Sequence, residues 1–415
     1  MRSITVLMLL LFTCTALAER EVEFLHWWTS KGEAAAFNIV KKALNEKDIK
    51  VVSFPVQGGG GDRAMSILQA RAIAGNLPDI AQLEGRSLQS WAALGFLQSL
   101  NTIAAKHEWN KTLLPLAQEI HRYQDHYVAI PITIHRLNWM WVNHDILSQY
   151  QLSVPTTWDQ AITVFRELKR RNIPPLAMGS EPWQVVQLFE NIAFGYGGAE
   201  YYRKAFIDLE PSYLNSEITV EVLDKFRKIS EIVLPDMTSI GWDTATRELL
   251  DGKRAFQISG DWTLGELIAQ GGSVPEKIGC FPTPGKHSGF IYNMDSFAIF
   301  DGPLLDDDSS YALAKTLAEP EFLRQFNQVK GSIPARNDIL LEGFNACALQ
   351  SQQDFNLASQ QNTMIPSIID SMAVSPLIQK AVSSELFRFF NEPSMKAEQV
   401  ILHLQSIPKS GILME

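Results

Sequence analysis

Residues 22–56 read VEFLHWWTSKGEAAAFNIVKKALNEKDIKVVSFPV. Val22 to His26 is a short apolar-rich strand candidate, Ala34 to Leu44 an amphipathic helix, and Val51 to Val56 a second strand. Four glycines, Gly58 to Gly61, follow, then a helical stretch at Ala64–Ala74, a turn and strand over Pro78–Leu83, and a helix at Leu88–Leu94. Strands alternating with helices imply βαβ units and a mainly parallel sheet, so the fold class is α/β. Further on, His126–Ile134 and Asn138–Asn143 are rich in β-branched and aromatic residues and are expected to cross between domains. Pro155-Thr156-Thr157-Trp158-Asp159 reads as a helix start, with a Thr or Asp cap ahead of Ala161–Lys169, and residues 160–270 read mostly as helix. Phe290–Phe300 reads as a strand again, and Ser309 onward as helix. Sheet-forming segments thus flank a helical middle, which predicts a discontinuous first domain.

Arg2, the apolar run Ile4–Phe12 and the small residues of Ala16-Leu17-Ala18 form a secretory leader, with cleavage expected after Ala18. Leu11-Phe12-Thr13-Cys14 is a poor lipobox. The apolar run is shorter than the roughly 20 residues a membrane span needs. About 397 residues then remain, too many for one core, so two domains are expected. The formal charge of −10 disfavours nucleic acid and anionic membrane partners. For Cys280 and Cys347, sequence leaves a disulfide and two buried thiols equally open.

The glycine run ends in Gly61-Asp62-Arg63 rather than Gly-Lys-Ser/Thr, so it reads as a turn permitting close backbone approach and not as a phosphate cradle. His-Glu-x-x-His, Cys-x-x-Cys and Gly-x-Ser-x-Gly do not occur, so no metal or acyl-transfer site is expected. What remains is carboxylates near indoles: Glu33 after Trp27-Trp28, Asp261 before Trp262, and Asp295. That combination suits sugars, because an indole face stacks on a pyranose while a carboxylate accepts two hydroxyl hydrogen bonds. A carboxylate pair such as Glu33 and Asp295 also suits glycoside hydrolysis. Most of Trp91, Trp109, Trp139, Trp141, Trp158 and Trp183 are expected to be packing residues.

Several segments together resemble the periplasmic glucose/monosaccharide-binding proteins of ABC sugar transporters, within the extracellular solute-binding protein family 1. They are Trp27-Trp28-Thr29-Ser30-Lys31-Gly32-Glu33, Gly58–Asp62, Pro78-Asp79 through Gln82, Ile130-Pro131 with His135-Arg136, Gly260-Asp261-Trp262, Asp295-Ser296-Phe297 and Val329–Pro334. The resemblance implies a two-lobe periplasmic-binding-protein fold with a hinge. One discontinuous lobe would comprise residues 19–125 and about 285–340, the other about 126–284 and 341–415. It implies a monomer that delivers ligand to an inner-membrane permease or presents it to a chemoreceptor, without cofactor or catalysis. Trp28 and Trp262 would stack on the sugar and Trp27 would support the wall. Glu33, Gln82, Asp295 and Lys330 would hydrogen-bond hydroxyls, and Arg136 and His135 would either join them or anchor a crossover strand.

Two departures stand out. Where glucose-binding members usually carry Lys or His, this chain has Glu84, and Asp370 aligns with another usual His. Both replace a donor by an acidic acceptor. Unpartnered buried carboxylates cost several kcal/mol in rough terms, so the ligand is either an amino sugar that supplies donors, or a neutral sugar with Lys330 or Arg136 compensating.

Overall fold

The computed structural model describes residues 20–301 and 307–408. The expected leader, Cys14 and the cleavage position lie outside these residues.

The opening stretch folds as β1 (Arg20–His26), α1 (Lys31–Asn45), β2 (Ile49–Pro55), α2 (Asp62–Ile73), β3 (Ile80–Glu84) and α3 (Gly85–Ala93). α1 starts where it does because Ser30 and Glu33 form a capping box, satisfying backbone N–H groups that the first helical turn leaves free. Its buried face, Ala36, Phe37, Val40 and Leu44, recurs at helical spacing and packs with Val22, Phe24 and Ile49 of β1 and β2.

The first sheet has the order β2-β1-β3, then the strand Asp295–Ile299, then Ile130–Pro131. β1 pairs in parallel with β2 and β3, but Asp295–Ile299 runs antiparallel to both its neighbours. The sheet is therefore mixed rather than mainly parallel. The reason is topological: the late strand re-enters from the opposite end when the chain returns. The second lobe holds an antiparallel sheet, Ile278–Pro282, Trp139–Asn143 and Phe256–Ile258, under a large helical core that includes Phe165, Phe189, Phe226 and Phe389.

Between the lobes the chain crosses as paired strands. Thr133–Arg136 leads from the first sheet to the second, and Phe290–Asn293 leads back. They pair antiparallel, Asn293 opposite His135 and Tyr292 opposite Arg136, with Met364–Pro366 added alongside Phe290–Tyr292. Phe290–Phe300 is thus two strands in two sheets, broken at Met294, because one continuous apolar run serves first the hinge and then the core.

A disulfide joins Cys280 to Cys347, whose Cα atoms lie 6.0 Å apart, and so fastens an edge strand of the second sheet to the start of the helix Ala346–Gln360. In the chain-entropy model, closing a separation of 67 residues is worth about 4 kcal/mol. The Cys280→Ser/Cys347→Ser double variant should keep its far-ultraviolet circular dichroism and lose several degrees of thermal midpoint. An unchanged midpoint would show that the cross-link constrains nothing.

Candidate functional site

A cleft lies between the lobes, lined by residues of both. Five of the ten tryptophans line it: Trp27, Trp28, Trp183, Trp242 and Trp262. The first two come from the loop joining β1 to the capping box of α1. Trp262 opens the helix Trp262–Ala269, Trp242 opens Trp242–Leu250, and Trp183 opens Pro182–Tyr202. Helix starts project their first side chains toward the cleft mouth, which is why indoles separated in sequence converge. Trp262 meets His135 and Trp183 edge to face, with ring centroids 5.4 and 6.1 Å away. Trp28 packs on Phe297 and Phe326 from behind.

The cleft is closed. The glycine run of the first lobe lies against Trp183 of the second: a Cβ on Gly60 would come within 2.9 Å of its Cδ1, and one on Gly59 within 3.1 Å of its Nε1. Gly58 to Gly61 all have positive φ, a backbone that L side chains rarely adopt. The expected close approach is therefore to an indole. Elsewhere the N-terminus of α1 meets the helix Trp262–Ala269, where the Gly32 N–H donates to Glu266 Oε2 at 2.6 Å.

The polar floor is a chain of buried groups. His135 sits between two carboxylates, Nδ1 at 2.5 Å from Asp261 Oδ1 and Nε2 at 3.0 Å from Asp295 Oδ2. Burial works against an imidazolium, but the two carboxylates outweigh it and raise the His135 pKa, so the ring carries positive charge. Burial likewise works to raise Asp295, yet hydrogen bonds from Glu84 and His135, with the charges of His135 and Lys330, hold its carboxyl well below the usual range. Glu84, directly opposite Asp295 in the sheet register, is driven the other way, chiefly by burial and then by Asp370 and Asp295. Glu84 is the protonated member of that pair, a donor rather than an acceptor. Lys330 Nζ lies 3.4 Å from Glu33 Oε1 and 5.4 Å from the centre of the Trp28 ring. The other Glu33 oxygen accepts from the Thr29 and Ser30 N–H groups.

Of the residues singled out in the sequence, Trp27, Trp28, Glu33, Glu84, His135, Trp262, Asp295, Lys330 and Asp370 line the cleft. Gln82 and Arg136 do not. Gln82 is fully buried behind the wall, where its Nε2 donates to Asp295 Oδ1 at 2.8 Å and its Oε1 accepts from the Trp27 N–H. Arg136 points out of the back of the crossing strand, its guanidinium 3.9 Å from the centre of the Trp139 ring and paired with Asp354 at 2.5 Å. Side chains alternate along a strand, so neighbours His135 and Arg136 necessarily face opposite ways. Neither Arg136 nor Lys330, already committed to Glu33, compensates Asp370. Trp183, Trp242 and Asn293 were not singled out as site residues. Nothing local distinguishes the two indoles, whereas Asn293 is signalled by its place two residues before Asp295 in the returning chain. Trp91, Trp109, Trp139, Trp141 and Trp158 are buried packing residues, as expected.

A model of the bacterial extracellular solute-binding protein family matches residues 27–303. The chain belongs to that family. It is 35% identical over 373 residues to a probable sugar-binding periplasmic protein of Brucella suis, covering 90% of this chain and 88% of that protein. It is 33% identical to another from Rhizobium meliloti, covering 97% of each. Among solved structures, a bacterial solute receptor described as exclusively preferring β-D-galactopyranose superposes with a TM-score of 0.76 at 16% identity, covering 93% of this chain and 96% of that one. At that identity the likeness speaks to the two-lobe fold alone.

In this solute-binding protein the loop that carries Asp370 is anchored by a buried carboxyl. Glu190 accepts from the Tyr202 hydroxyl, from Ser367 Oγ and from the Ile368 N–H. Burial pushes Glu190 up to about 7 from 4.5, against the pull of those three donors. The folded chain thus holds a proton that the unfolded chain releases between these values. The resulting stabilisation is full below about pH 4.5 and fades as pH rises through 7, in total about 3 kcal/mol. Glu190→Gln should flatten part of the fall in unfolding free energy across that window, as read by denaturant titration at several pH values. A parallel fall in both proteins would refute this. At the lip, Gly60→Val should weaken ligand binding at least about tenfold, through backbone strain and the clash with Trp183. Isothermal titration measures that loss, and a bystander glycine would leave affinity unchanged.

Proposed function

We propose that this protein is the periplasmic receptor of an ABC importer. It captures a monosaccharide-type sugar between its lobes and hands it to a membrane permease. The observation that carries the reading is the closed inter-lobe cleft, walled by indoles and floored by charged hydrogen-bonding groups. Flat aromatic faces match the C–H faces of a pyranose, and the carboxylates and Lys330 match its hydroxyls. The relatives named as sugar-binding periplasmic proteins support a sugar and a periplasmic setting. They also fit the leader read at residues 1–18. A first lobe of residues 19–125 with about 285–340 and a second of about 126–284 with 341–415 fit the cores in outline, the first core reaching beyond these bounds to Ile130, Ile132, Ile134, Phe355 and Ala358.

The geometry does not favour hydrolysis by Glu33 and Asp295. All four of their carboxylate oxygens already have protein partners, namely the Thr29 and Ser30 N–H groups, Lys330, Gln82 and His135. Asp295, held well below the usual carboxylate range, is moreover a poor base toward water.

Titrating the mature chain with glucose, galactose, mannose, xylose and short glucosides should quench or shift tryptophan fluorescence for at least one monosaccharide. The same ligand should raise the thermal midpoint, because ligand at 100 times its dissociation constant adds about 2.7 kcal/mol. Trp262→Ala should weaken that binding by roughly 2 kcal/mol, the scale of a buried aromatic contact. Binding confined to oligosaccharides would overturn the monosaccharide reading, and silence across the whole panel would overturn the sugar reading.

A further inference from the structure

In the cleft carboxylates outnumber cations, and one carboxylate has no cation beside it at all. Glu33 faces Lys330, and Asp261 and Asp295 share the charged His135. Glu84 keeps its proton against Asp295. That leaves Asp370, half-buried on an otherwise buried loop after the strand Met364–Pro366. Its Oδ2 accepts from Asn293 Nδ2 at 2.8 Å. Its Oδ1 is sealed from solvent and has no partner, and the same holds for Asn293 Oδ1. Both residues line the cleft. Two buried acceptor oxygens without a donor are costly, and they belong to residues that hydrogen-bond each other in the wall of the cleft. The surroundings deepen the deficit. Burial pushes Asp370 up to about 7, and the carboxyls of Asp62, Asp295 and Glu190 push it further the same way, opposed by the Asn293 hydrogen bond.

Asp370 is held in this position rather than tolerated there. Its φ is 59°, in the left-handed region that asparagine and aspartate enter most readily. The next residue, Ser371, is fixed by donating its N–H to Gln379 Oε1. Glu190 clamps the loop from below through Ser367 and Ile368. Gly85 lets α3 abut the loop backbone, for a Cβ there would lie 2.3 Å from the Ser371 carbonyl oxygen. The loop is braced to present a carboxylate.

We infer that the ligand carries a protonated amine that donates to Asp370 Oδ1 and Asn293 Oδ1, so that the receptor takes an amino sugar in preference to its neutral parent. An ammonium offers three donors and one positive charge, which answers both unpartnered oxygens and the unbalanced carboxylate together. A hydroxyl offers one donor and no charge. The cations already in the cleft do not compete, since Lys330 and His135 are each held by their own carboxylates. This inference rests on the reading of the cleft as a sugar site.

The test is isothermal titration of the mature chain at neutral pH with D-glucosamine and D-galactosamine, their neutral parents glucose and galactose, and the uncharged N-acetyl forms of both amines. At least one free amine should bind at least about tenfold tighter than its parent and its N-acetyl form, the scale of one charge-assisted hydrogen bond. Asp370→Asn, checked for folding by its thermal midpoint, should abolish that preference. A neutral parent that binds as tightly as its amine overturns the inference and leaves the sugar reading standing. So does an Asp370→Asn variant that weakens amine and parent by the same factor. If none of the six sugars binds, the inference falls, and the wider sugar panel decides the sugar reading separately. Should Asp370→Asn fail to fold, the ranking of amine, parent and N-acetyl form on the unaltered protein decides the matter alone.

Discussion

The arrangement turns on the need to pair charge that has been taken out of water. From Asp261 through His135 to Asp295, and on through Gln82 to the Trp27 backbone, donors and acceptors alternate without a break. The members come from the helical second lobe, a crossing strand, the returning strand, β3 and the loop before α1. Breaking one link strands a buried charge, which costs far more than the link itself contributes. The two lobes and the crossing strands are therefore registered to one another through the floor of the site, and the indole walls inherit their positions from that registration.

The same economy explains the contacts that close the molecule. Away from the floor, several contacts between the lobes are made at glycine: Gly32 against the Gly265–Glu266 segment, Gly265 against the carbonyls of Val329 and Lys330, and Gly59–Gly60 against Trp183. Such surfaces fit closely without interlocking side chains. They suit a protein that must part and rejoin with a small free-energy difference between its states.

Much of this was legible in the chain itself. The alternation from Val22 to Leu83 predicts the first lobe's strands and helices nearly in place, because each carries its own periodicity and caps. The pairing of Glu33 with Trp28, and of Asp261 with Trp262, marks two walls of the cleft, because those residues sit at helix starts that signal themselves. Strand direction was not legible: Asp295–Ile299 looks the same in either sense, and only the path of the returning chain makes it antiparallel. Gln82 and Arg136 match the family pattern but sit behind the wall, one bracing Asp295 and the other capping the hinge from outside. A motif records which residues recur, not which of them touch solvent. Trp183 and Trp242 were beyond reach for the opposite reason, since no local pattern separates an indole on a lobe surface from one in a core. The disulfide needed coordinates, because 67 residues of intervening chain leave the Cα separation free.

The lip formed by Trp183 bears on how long a captured molecule stays. Its single polar atom, Nε1, donates to Glu181 Oε2 at 3.1 Å on its own lobe, so the indole meets Gly59 and Gly60 through van der Waals contact alone. Lifting it breaks no hydrogen bond and leaves no orphaned donor. The barrier to escape at this edge is then the wetting of one aromatic face, a quantity set by surface area and hardly by pH or salt. The flap on bare backbone thus adds a nonpolar share to the escape barrier, beside the polar share that the ionic floor beneath it sets.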